Sequence, residues 1–279
     1  MPHLHFMLDA YGTIEENANN LMAVNELLNK VATELNIRPV MPPFLVPYYY
    51  CMDAEDGGIS AFVLCAGGHI TIHTFPFRSC YFVDILSDEF FSSSEAENLF
   101  RRFLYADNIK SNIIDRRTIY YSTETRINTN RDVEIDVEKD FGPHYMIEVN
   151  GMEMTMSWIY TFLDTIAEKI NMSPITRPYV IFDKKENPQY ISGILIVAQS
   201  HIAVHYDIAT KKALVDIFSC AFLDDRVLQD ILKDYFKDSF SCKLFSRGSK
   251  HNYNYKRKDM RVKTNSNWRT NIIDNDTND

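Results

Sequence analysis

One motif occurs twice in this sequence, first as Gly68-His-Ile-Thr-Ile-His73 and later as Ser200-His-Ile-Ala-Val-His205. The same offset carries Val83-Asp-Ile85 onto Val215-Asp-Ile217, and seven of twenty aligned positions in this region are identical. Self-similarity at a fixed spacing is typical of a duplicated structural unit. The chain is therefore predicted to contain two copies of one fold.

Weaker matches extend the repeat toward the N-terminus of each copy. Asn36-Ile-Arg-Pro39 resembles Asn171-Met-Ser-Pro174, and His5–Asp9 resembles His144–Glu148. The region between the copies is rich in Thr, Asn, Arg and acidic residues, and the end of the chain has few apolar residues. We expect an N-terminal half over 1–122, a linker over 123–140, a C-terminal half over 141–250 and a mobile tail over 251–279.

Each half shows the same predicted order of elements: a strand, a helix, an extended segment, three closely spaced strands and a second helix. Apolar residues at three- and four-residue spacing predict helices over 19–35, 94–105, 154–170 and 224–236. The β-branched strands and their short connections favour antiparallel hairpins. The expected fold class is α+β, with two units packed sheet against sheet in a four-layer α/β/β/α sandwich with antiparallel sheets.

Composition and charge restrict the class of protein. The sequence is 46% hydrophobic and 24% charged, which is ordinary for a folded protein and excludes disorder for most of the chain. The net charge of −9 argues against general nucleic-acid binding. A local basic run, Lys243–Lys263, is interpreted as a solvated face or tail, with docking to an acidic surface or to RNA as alternatives.

The sequence also predicts a cellular location. Purely apolar runs are far shorter than the ~20 residues of a membrane span, and the N-terminus lacks the pattern of a signal peptide. Five cysteines without a Cys-x-x-Cys pair are expected to be free thiols. These observations predict a cytoplasmic protein without membrane contact.

The two His-x-x-x-His strings do not indicate a metal site. The residues between the histidines are strand formers, and four residues of strand separate two positions by ~13 Å. One ion cannot bridge such a pair, so no metal is expected.

Three residues carry a resemblance to a known family. Ser200, His205 and Cys220, at relative positions 0, +5 and +20, resemble the signature of the S-adenosylmethionine decarboxylases. His73-Thr-Phe-Pro76 resembles that family's His-Thr-aromatic-Pro motif. The resemblance covers most of both halves. It implies a zymogen that cleaves itself between Gln199 and Ser200 and becomes a pyruvoyl-dependent decarboxylase (a carboxy-lyase) of polyamine and spermidine biosynthesis.

The family's chemistry assigns a task to each of these residues. The hydroxyl of Ser200 attacks the carbonyl of Gln199, and elimination from the resulting ester leaves a pyruvoyl group in place of the serine. That ketone forms a Schiff base with the substrate's α-amine and acts as an electron sink. The acid at the Cys220 position returns a proton to carbon after carbon dioxide leaves. The cofactor is thus the pyruvoyl group made from Ser200, and no external cofactor is implied.

In this family each active site is shared between two units. Applied here, Ser200 and Cys220 come from the C-terminal half, and Ser60 and His73 come from the N-terminal half to assist self-cleavage. The expectation is that His73 faces Ser200 across the interface between the sheets.

The second site would need a serine at Gly68 and a cysteine at Asp88, so it is expected to be inert. Ser192 and His205, which correspond to Ser60 and His73 in the repeat, are both present. The protein is expected to be a monomer with two pseudo-dimeric halves, or a homodimer.

The substrate is expected to be a small molecule of the amino-acid type. Phe75 fills the family's adenine-stacking position, and a tyrosine of 48–50, such as Tyr50, is its candidate partner. However, Gln199 stands where the family usually has Glu, and Phe77 stands where a Glu binds ribose. A phenyl ring cannot accept hydrogen bonds from ribose hydroxyls. Arginine or ornithine therefore remains an alternative to S-adenosylmethionine, and a non-catalytic homologue that regulates a partner enzyme is the alternative function.

Overall fold

The computed structural model describes residues 3–51, 54–116, 142–184, 189–198, 200–220 and 223–248. The N-terminal half contains β1 (Leu4–Tyr11), α1 (Glu15–Ala18), α2 (Leu21–Glu34), β2 (Phe44–Tyr48), β3 (Gly58–Cys65), β4 (Gly68–Phe75), β5 (Cys80–Ser87), α3 (Ser93–Phe103) and β6 (Asn108–Asp115), with 3-10 turns at Ala54–Asp56 and Pro76–Arg78. The C-terminal half contains β7 (Gly142–Asn150), α4 (Met156–Lys169), β8 (Tyr179–Asp183), β9 (Tyr190–Val197), β10 (Ser200–Asp207), β11 (Lys212–Phe218), α5 (Asp225–Phe236) and β12 (Phe240–Arg247).

The two halves share one sheet topology. Each half forms a six-stranded sheet, in the orders β2-β3-β4-β5-β1-β6 and β12-β7-β11-β10-β9-β8, and all neighbouring strands are antiparallel. Repeat-related residues also keep their register, since Leu8 pairs with Val83 and its counterpart Ile147 pairs with Val215. The predicted α+β fold, a duplicated unit in a four-layer sandwich, is confirmed.

Helices cover the outer face of each sheet. Strand residues alternate between the two faces, and the apolar residues lie on the face that the helices cover. On β10 the side chains of Ile202 and Val204 join the core beneath α4. The intervening residues, His201, Ala203 and His205, point toward the other sheet. Each helix-side core is apolar, whereas the layer between the sheets carries histidines, aspartates and arginines.

The four longer helices, α2, α3, α4 and α5, begin after residues whose side chains cap them. Asn20 and Thr155, at equivalent places in the repeat, accept hydrogen bonds from the backbone amides of Ala23 and Trp158. Such N-caps satisfy amides that the first helical turn leaves unpaired. Among the described helices, none is long and apolar enough to cross a membrane.

The structure corrects the interpretation of the basic run 243–263 at its start. Lys243–Arg247 belongs to β12, and only 3% of Arg247 is exposed. This arginine is not part of a solvated face, because the carboxylates of Asp84 and Asp9 bind it. The predicted linker 123–140, the predicted tail 251–279 and the rest of the basic run lie outside the described residues.

Candidate active site

Ser200 and Cys220 are brought together by a hairpin. β10 begins at Ser200, and β11 pairs with it so that His201 lies opposite Phe218. The backbone amide of Cys220 donates a hydrogen bond to Ser200 Oγ at 2.9 Å, and Cys220 Sγ lies 3.5 Å from the carbonyl oxygen of Ala198. The serine and the thiol therefore share one corner of the sheet, and Gln199 lies outside the described residues.

The pKa of the Cys220 thiol is raised. Burial raises its pKa above the ordinary value because a thiolate would lose hydration, while the hydrogen bond with Ser200 acts in the opposite direction. The group is accordingly a neutral thiol at neutral pH, which is the form that can donate a proton.

Ser60 and His73 form a buried pair on neighbouring strands. They lie opposite each other on β3 and β4, and Ser60 Oγ is 2.8 Å from His73 Nδ1. The other ring nitrogen, His73 Nε2, lies 2.9 Å from Nδ1 of His201 in the other half. The two imidazoles stack with centroids 5.2 Å apart. A Ser-His-His set thus connects β3 of one sheet to β10 of the other.

This connection reaches the neighbour of Ser200. Ser200 lies two positions before Ile202 and therefore on the same face of β10, the face toward α4. His201 lies on the other face, toward the opposite sheet. The contacts described for His73 therefore run through His201, and the direct apposition of His73 and Ser200 expected from the sequence is not among them.

The duplicated fold repeats this set on the other side of its pseudo-twofold axis. Ser192 Oγ lies 2.9 Å from His205 Nδ1, and His205 Nε2 lies 2.7 Å from Nδ1 of His69. Ser192 and His205 come from the C-terminal half, and His69 comes from the N-terminal half. The sequence identified the serine and the first histidine of each set but missed the roles of His69 and His201, although both belong to the repeated motif.

Arg116 and Arg247 cross between the halves near the axis. Arg116 Nη1 donates to Asp216 Oδ1 and Arg247 Nη1 donates to Asp84 Oδ1, both at 2.6 Å. Asp84 and Asp216 recur in the two copies of the repeat, and the structure gives each of them an arginine of the other half. Sequence reasoning missed the arginines, although their separation along the chain nearly equals the offset of the repeat.

One group of side chains beside these arginines has the spacing of metal ligands. Donor atoms of His5, His144 and Asp216 lie within 4.8 Å of one another. However, Arg116 already binds Asp216, and the guanidinium groups of Arg116 and Arg247 lie 3.2 and 3.1 Å from His5 Nδ1 and His144 Nδ1. A metal cation would meet two fixed positive charges there, so the group does not fit a metal.

Among the described residues, six histidines are buried in this layer, and all are neutral at neutral pH. Burial lowers the pKa of His5, His69 and His73 to about 3, because the charged imidazolium would lose hydration. Burial also lowers the pKa of His144, His201 and His205 well below the ordinary value. Each of these rings therefore carries a single proton, and its position on the ring depends on the hydrogen bonds that the ring makes.

Comparison with known proteins assigns the family. The family model described as S-adenosylmethionine decarboxylase matches residues 4–117 and again residues 143–248. The chain belongs to the S-adenosylmethionine decarboxylase family. The S-adenosylmethionine decarboxylase proenzyme of Thermodesulfovibrio yellowstonii is 27% identical over 107 residues, which are 37% of this chain and 74% of that protein.

Two solved structures are also similar to the chain. The adenosylmethionine decarboxylase of Aquifex aeolicus shares 22% identity, with a TM-score of 0.35 over 41% of this chain and 90% of that one. An unknown protein from Galdieria sulphuraria shares 5% identity, with a TM-score of 0.21 over 89% of this chain and 100% of that one. The assignment to the decarboxylase family rests on the double match of the family model.

The aromatic residues suggested by the family's motif occupy different environments. Phe75 is fully buried in a cluster with Tyr11, Cys80, Phe82 and Phe218, and Cys220 packs against this cluster. Phe77 is partly exposed and contacts the ring of Tyr49 edge-on at 6.3 Å. Tyr50 is 84% exposed, so it does not pack against Phe75 in this arrangement.

Two charged residues near Cys220 were missed by the sequence reasoning. Arg78 follows Phe77, and its Nε donates to Asp56 Oδ1 at 2.6 Å. The charge of Asp56 raises the pKa of Cys220 and that of Arg78 lowers it, as minor contributions beside burial. The position of Arg78 next to the decarboxylase family's His-Thr-aromatic-Pro motif was the available signal.

In the N-terminal half the position equivalent to Ser200 is Gly68, and its surroundings are closely packed. A Cβ atom on Gly68 would lie 1.8 Å from the backbone carbonyl oxygen of Leu86. Asp88 stands where the other half has Cys220, and the hydroxyl of Tyr190 lies 3.5 Å from its Oδ2. The ring of Tyr190 covers Gly67, where a Cβ would lie 2.7 Å from it.

Restoring the serine at this position is expected to fail. In the Gly68→Ser variant the new Cβ clashes with backbone that cannot rotate away, so the free energy of unfolding should fall by about 2 kcal/mol or more. Mass spectrometry should detect no fragment that ends at Gly67, which cleavage before position 68 would release. The appearance of that fragment would show that the second site needs only a hydroxyl.

Proposed function

We propose that this chain is a self-cleaving, pyruvoyl-dependent decarboxylase that acts on S-adenosylmethionine, or on another α-amino acid such as arginine or ornithine, in polyamine biosynthesis. The observation that carries the proposal is the pairing of Ser200 with Cys220 at one corner of the sheet, beside the set Ser60, His73 and His201. The other end of the layer holds an equivalent Ser-His-His set beside Gly68 and therefore lacks a nucleophile.

In the proposed cleavage, Ser200 Oγ attacks the carbonyl carbon of Gln199 and displaces its own backbone nitrogen, which converts the peptide bond to an ester. Loss of the α-proton then breaks the Cβ–Oγ bond of Ser200 and releases Gln199 as a carboxylate. Water replaces the nitrogen at residue 200, which leaves as ammonia. Ser60 and His73 are the proposed assistants of these proton transfers, placed beside His201 rather than in direct contact with Ser200, and burial keeps the ring of His73 neutral.

The residues of the site fit the pyruvoyl group that would replace Ser200. When formed, this group supplies an electron sink for loss of carbon dioxide from an α-amino acid. Cys220, whose amide donates to Ser200 Oγ, is the proposed acid that returns a proton to the substrate carbon, and its raised pKa keeps the thiol protonated until then. Phe75, packed in the cluster that contacts Cys220, is the proposed contact for an apolar part of the substrate. Phe77 and Tyr50 are the other proposed substrate contacts.

A decarboxylation assay tests the function directly. Purified protein is mixed with carboxyl-labelled S-adenosylmethionine, arginine, ornithine or lysine, and the released carbon dioxide is counted. We expect release from one of these substrates, accompanied by two fragments on a denaturing gel. An intact chain that releases no carbon dioxide from any of them would favour the alternative, a non-catalytic homologue that regulates a partner decarboxylase.

The two assisting histidines provide a matched comparison. His73→Ala should slow self-cleavage by about 100-fold, the usual effect of removing an acid–base group. His205→Ala should leave the rate within about twofold, because this ring serves the side that has Gly68 in place of the serine. Both variants remove a buried ring bonded to one serine and one histidine, so they should lower the melting temperature alike.

The comparison uses cell-free synthesis followed by denaturing gels over time. The reverse pattern, with cleavage abolished by His205→Ala and untouched by His73→Ala, would mean that the halves of one chain do not share a site.

A further inference from the structure

We propose that His201 is a positioning residue for the cleavage between Gln199 and Ser200, acting through His73. This inference rests on the function proposed above. Its basis is the hydrogen bond of 2.9 Å between His201 Nδ1 and His73 Nε2, which joins the assisting pair of the N-terminal half to the residue that directly follows the nucleophile.

The two rings are held in a fixed relation by their surroundings. They are stacked with an interplanar angle of 10°, and both are completely buried. Phe218, opposite His201 on β11, packs against both rings with centroid distances of 5.8 Å to His73 and 5.9 Å to His201. Because His201 is covalently joined to Ser200, a ring locked in this way also fixes the start of β10 relative to His73.

The same bond determines where His73 carries its proton. A neutral imidazole has one N–H, and His73 lies between Ser60 at Nδ1 and His201 at Nε2. If His201 donates to Nε2, then Nδ1 of His73 donates to Ser60. If His201 accepts, then Nδ1 accepts the proton of the Ser60 hydroxyl. In both cases the hydrogen-bonding role of Ser60 is set by His201, since the second partner of a histidine fixes its tautomer.

The pseudo-twofold axis supplies a control residue in the same protein. His69 makes the same bond to His205, at 2.7 Å, and it is equally buried. It follows Gly68, which has no hydroxyl to act in cleavage. A purely structural role would make His69 and His201 equivalent, whereas a positioning role in cleavage belongs to His201 alone.

The test compares four variants made by cell-free synthesis, with the first-order rate of fragment appearance and the melting temperature as readouts. His201→Phe keeps a ring but removes the hydrogen bond, and we expect cleavage to slow by at least about tenfold. His201→Asn places an amide near the position of Nδ1, and it should recover a large part of the lost rate. His69→Phe and His69→Asn should cleave at the wild-type rate while losing a similar amount of thermal stability.

The outcomes separate this inference from the function on which it rests. If the wild-type chain does not cleave, the proposed function fails and the inference fails with it. If the wild-type chain cleaves and His201→Phe keeps the wild-type rate, only the inference is overturned. Equal slowing by His69→Phe and His201→Phe, or no recovery in His201→Asn, would assign His201 a structural role and would also overturn it.

Discussion

The Ser200→Ala variant is expected to remain a single intact chain, whereas the wild-type protein yields two fragments, 1–199 and 200–279. Alanine has no hydroxyl, so the acyl shift that starts cleavage cannot occur. The hydrogen bond from the amide of Cys220 to Ser200 Oγ is also lost, but this exchange should cost only about 1 kcal/mol of folding free energy. The variant should therefore be folded and uncleaved.

Intact mass spectrometry and a melting curve check this result. The C-terminal fragment of the wild-type protein should be lighter, by one ammonia molecule, than a fragment that begins with serine. Ser192→Ala is the matched control, because Ser192 is a buried serine bonded to His205 on the side without a nucleophile. That variant should cleave normally. Cleavage of Ser200→Ala at the same bond would exclude the hydroxyl as the initiating group.

Acidification is expected to unfold the protein steeply between pH 7 and pH 5. The pKa of His5, His69 and His73 is about 3 in the folded state, against 6.5 for a free histidine, and the other three buried histidines are lowered in the same direction. Below pH 6.5 the unfolded chain takes up protons that the folded chain does not bind. The stability contributed by each neutral ring is therefore present above pH 6.5 and is lost as the pH falls toward 3.

The expected size of this effect is large. Below pH 6.5 each histidine with a folded-state pKa of about 3 lowers the free energy of unfolding by about 1.4 kcal/mol per pH unit, so His5, His69 and His73 alone lower it by about 6 kcal/mol at pH 5. Urea unfolding midpoints measured at pH 7, 6 and 5 should decrease at every step. The double variant His69→Asn, His205→Asn should show a shallower decrease, since two of the neutral rings are gone. A midpoint that stays constant from pH 7 to pH 5 would contradict the burial of uncharged histidines.

The repeat made most of the fold predictable, and the edge strands show where the prediction stopped. The strands of the hairpins were predicted because β-branched runs alternate with turns. The sequence-based prediction ended each half at its second helix and missed β6 and β12. The residues of β6 are largely exposed or partly buried, and Asn108, Lys110 and Asn112 lie on the face that also carries Ile114, so the periodicity of a strand is weak there. An edge strand has a neighbouring strand on one side only, and its sequence therefore shows a weaker hydrophobic pattern.

Part of the site could be predicted because two of its residues belong to one motif. The spacing of Ser200 and Cys220 on one hairpin brings them together, as the motif implied. The orientation of Ser200 was missed although the signal was present. His205 is five positions after Ser200, and two strand residues that are an odd number of positions apart lie on opposite faces. Arg116 and Arg247 were missed because single arginines are ordinarily exposed, and only the meeting of the two halves gives them buried carboxylate partners.

In each of the two arginine–aspartate pairs, the arginine of one half neutralises a buried aspartate of the other half. Asp84 without Arg247, or Asp216 without Arg116, would be a buried carboxylate lacking its counter-ion, which costs about 3–5 kcal/mol. Because both halves belong to one polypeptide, their encounter is intramolecular, and its strength is set by a local effective concentration that dilution does not change. The N-terminal half is thus always present in the same number as the C-terminal half and next to it.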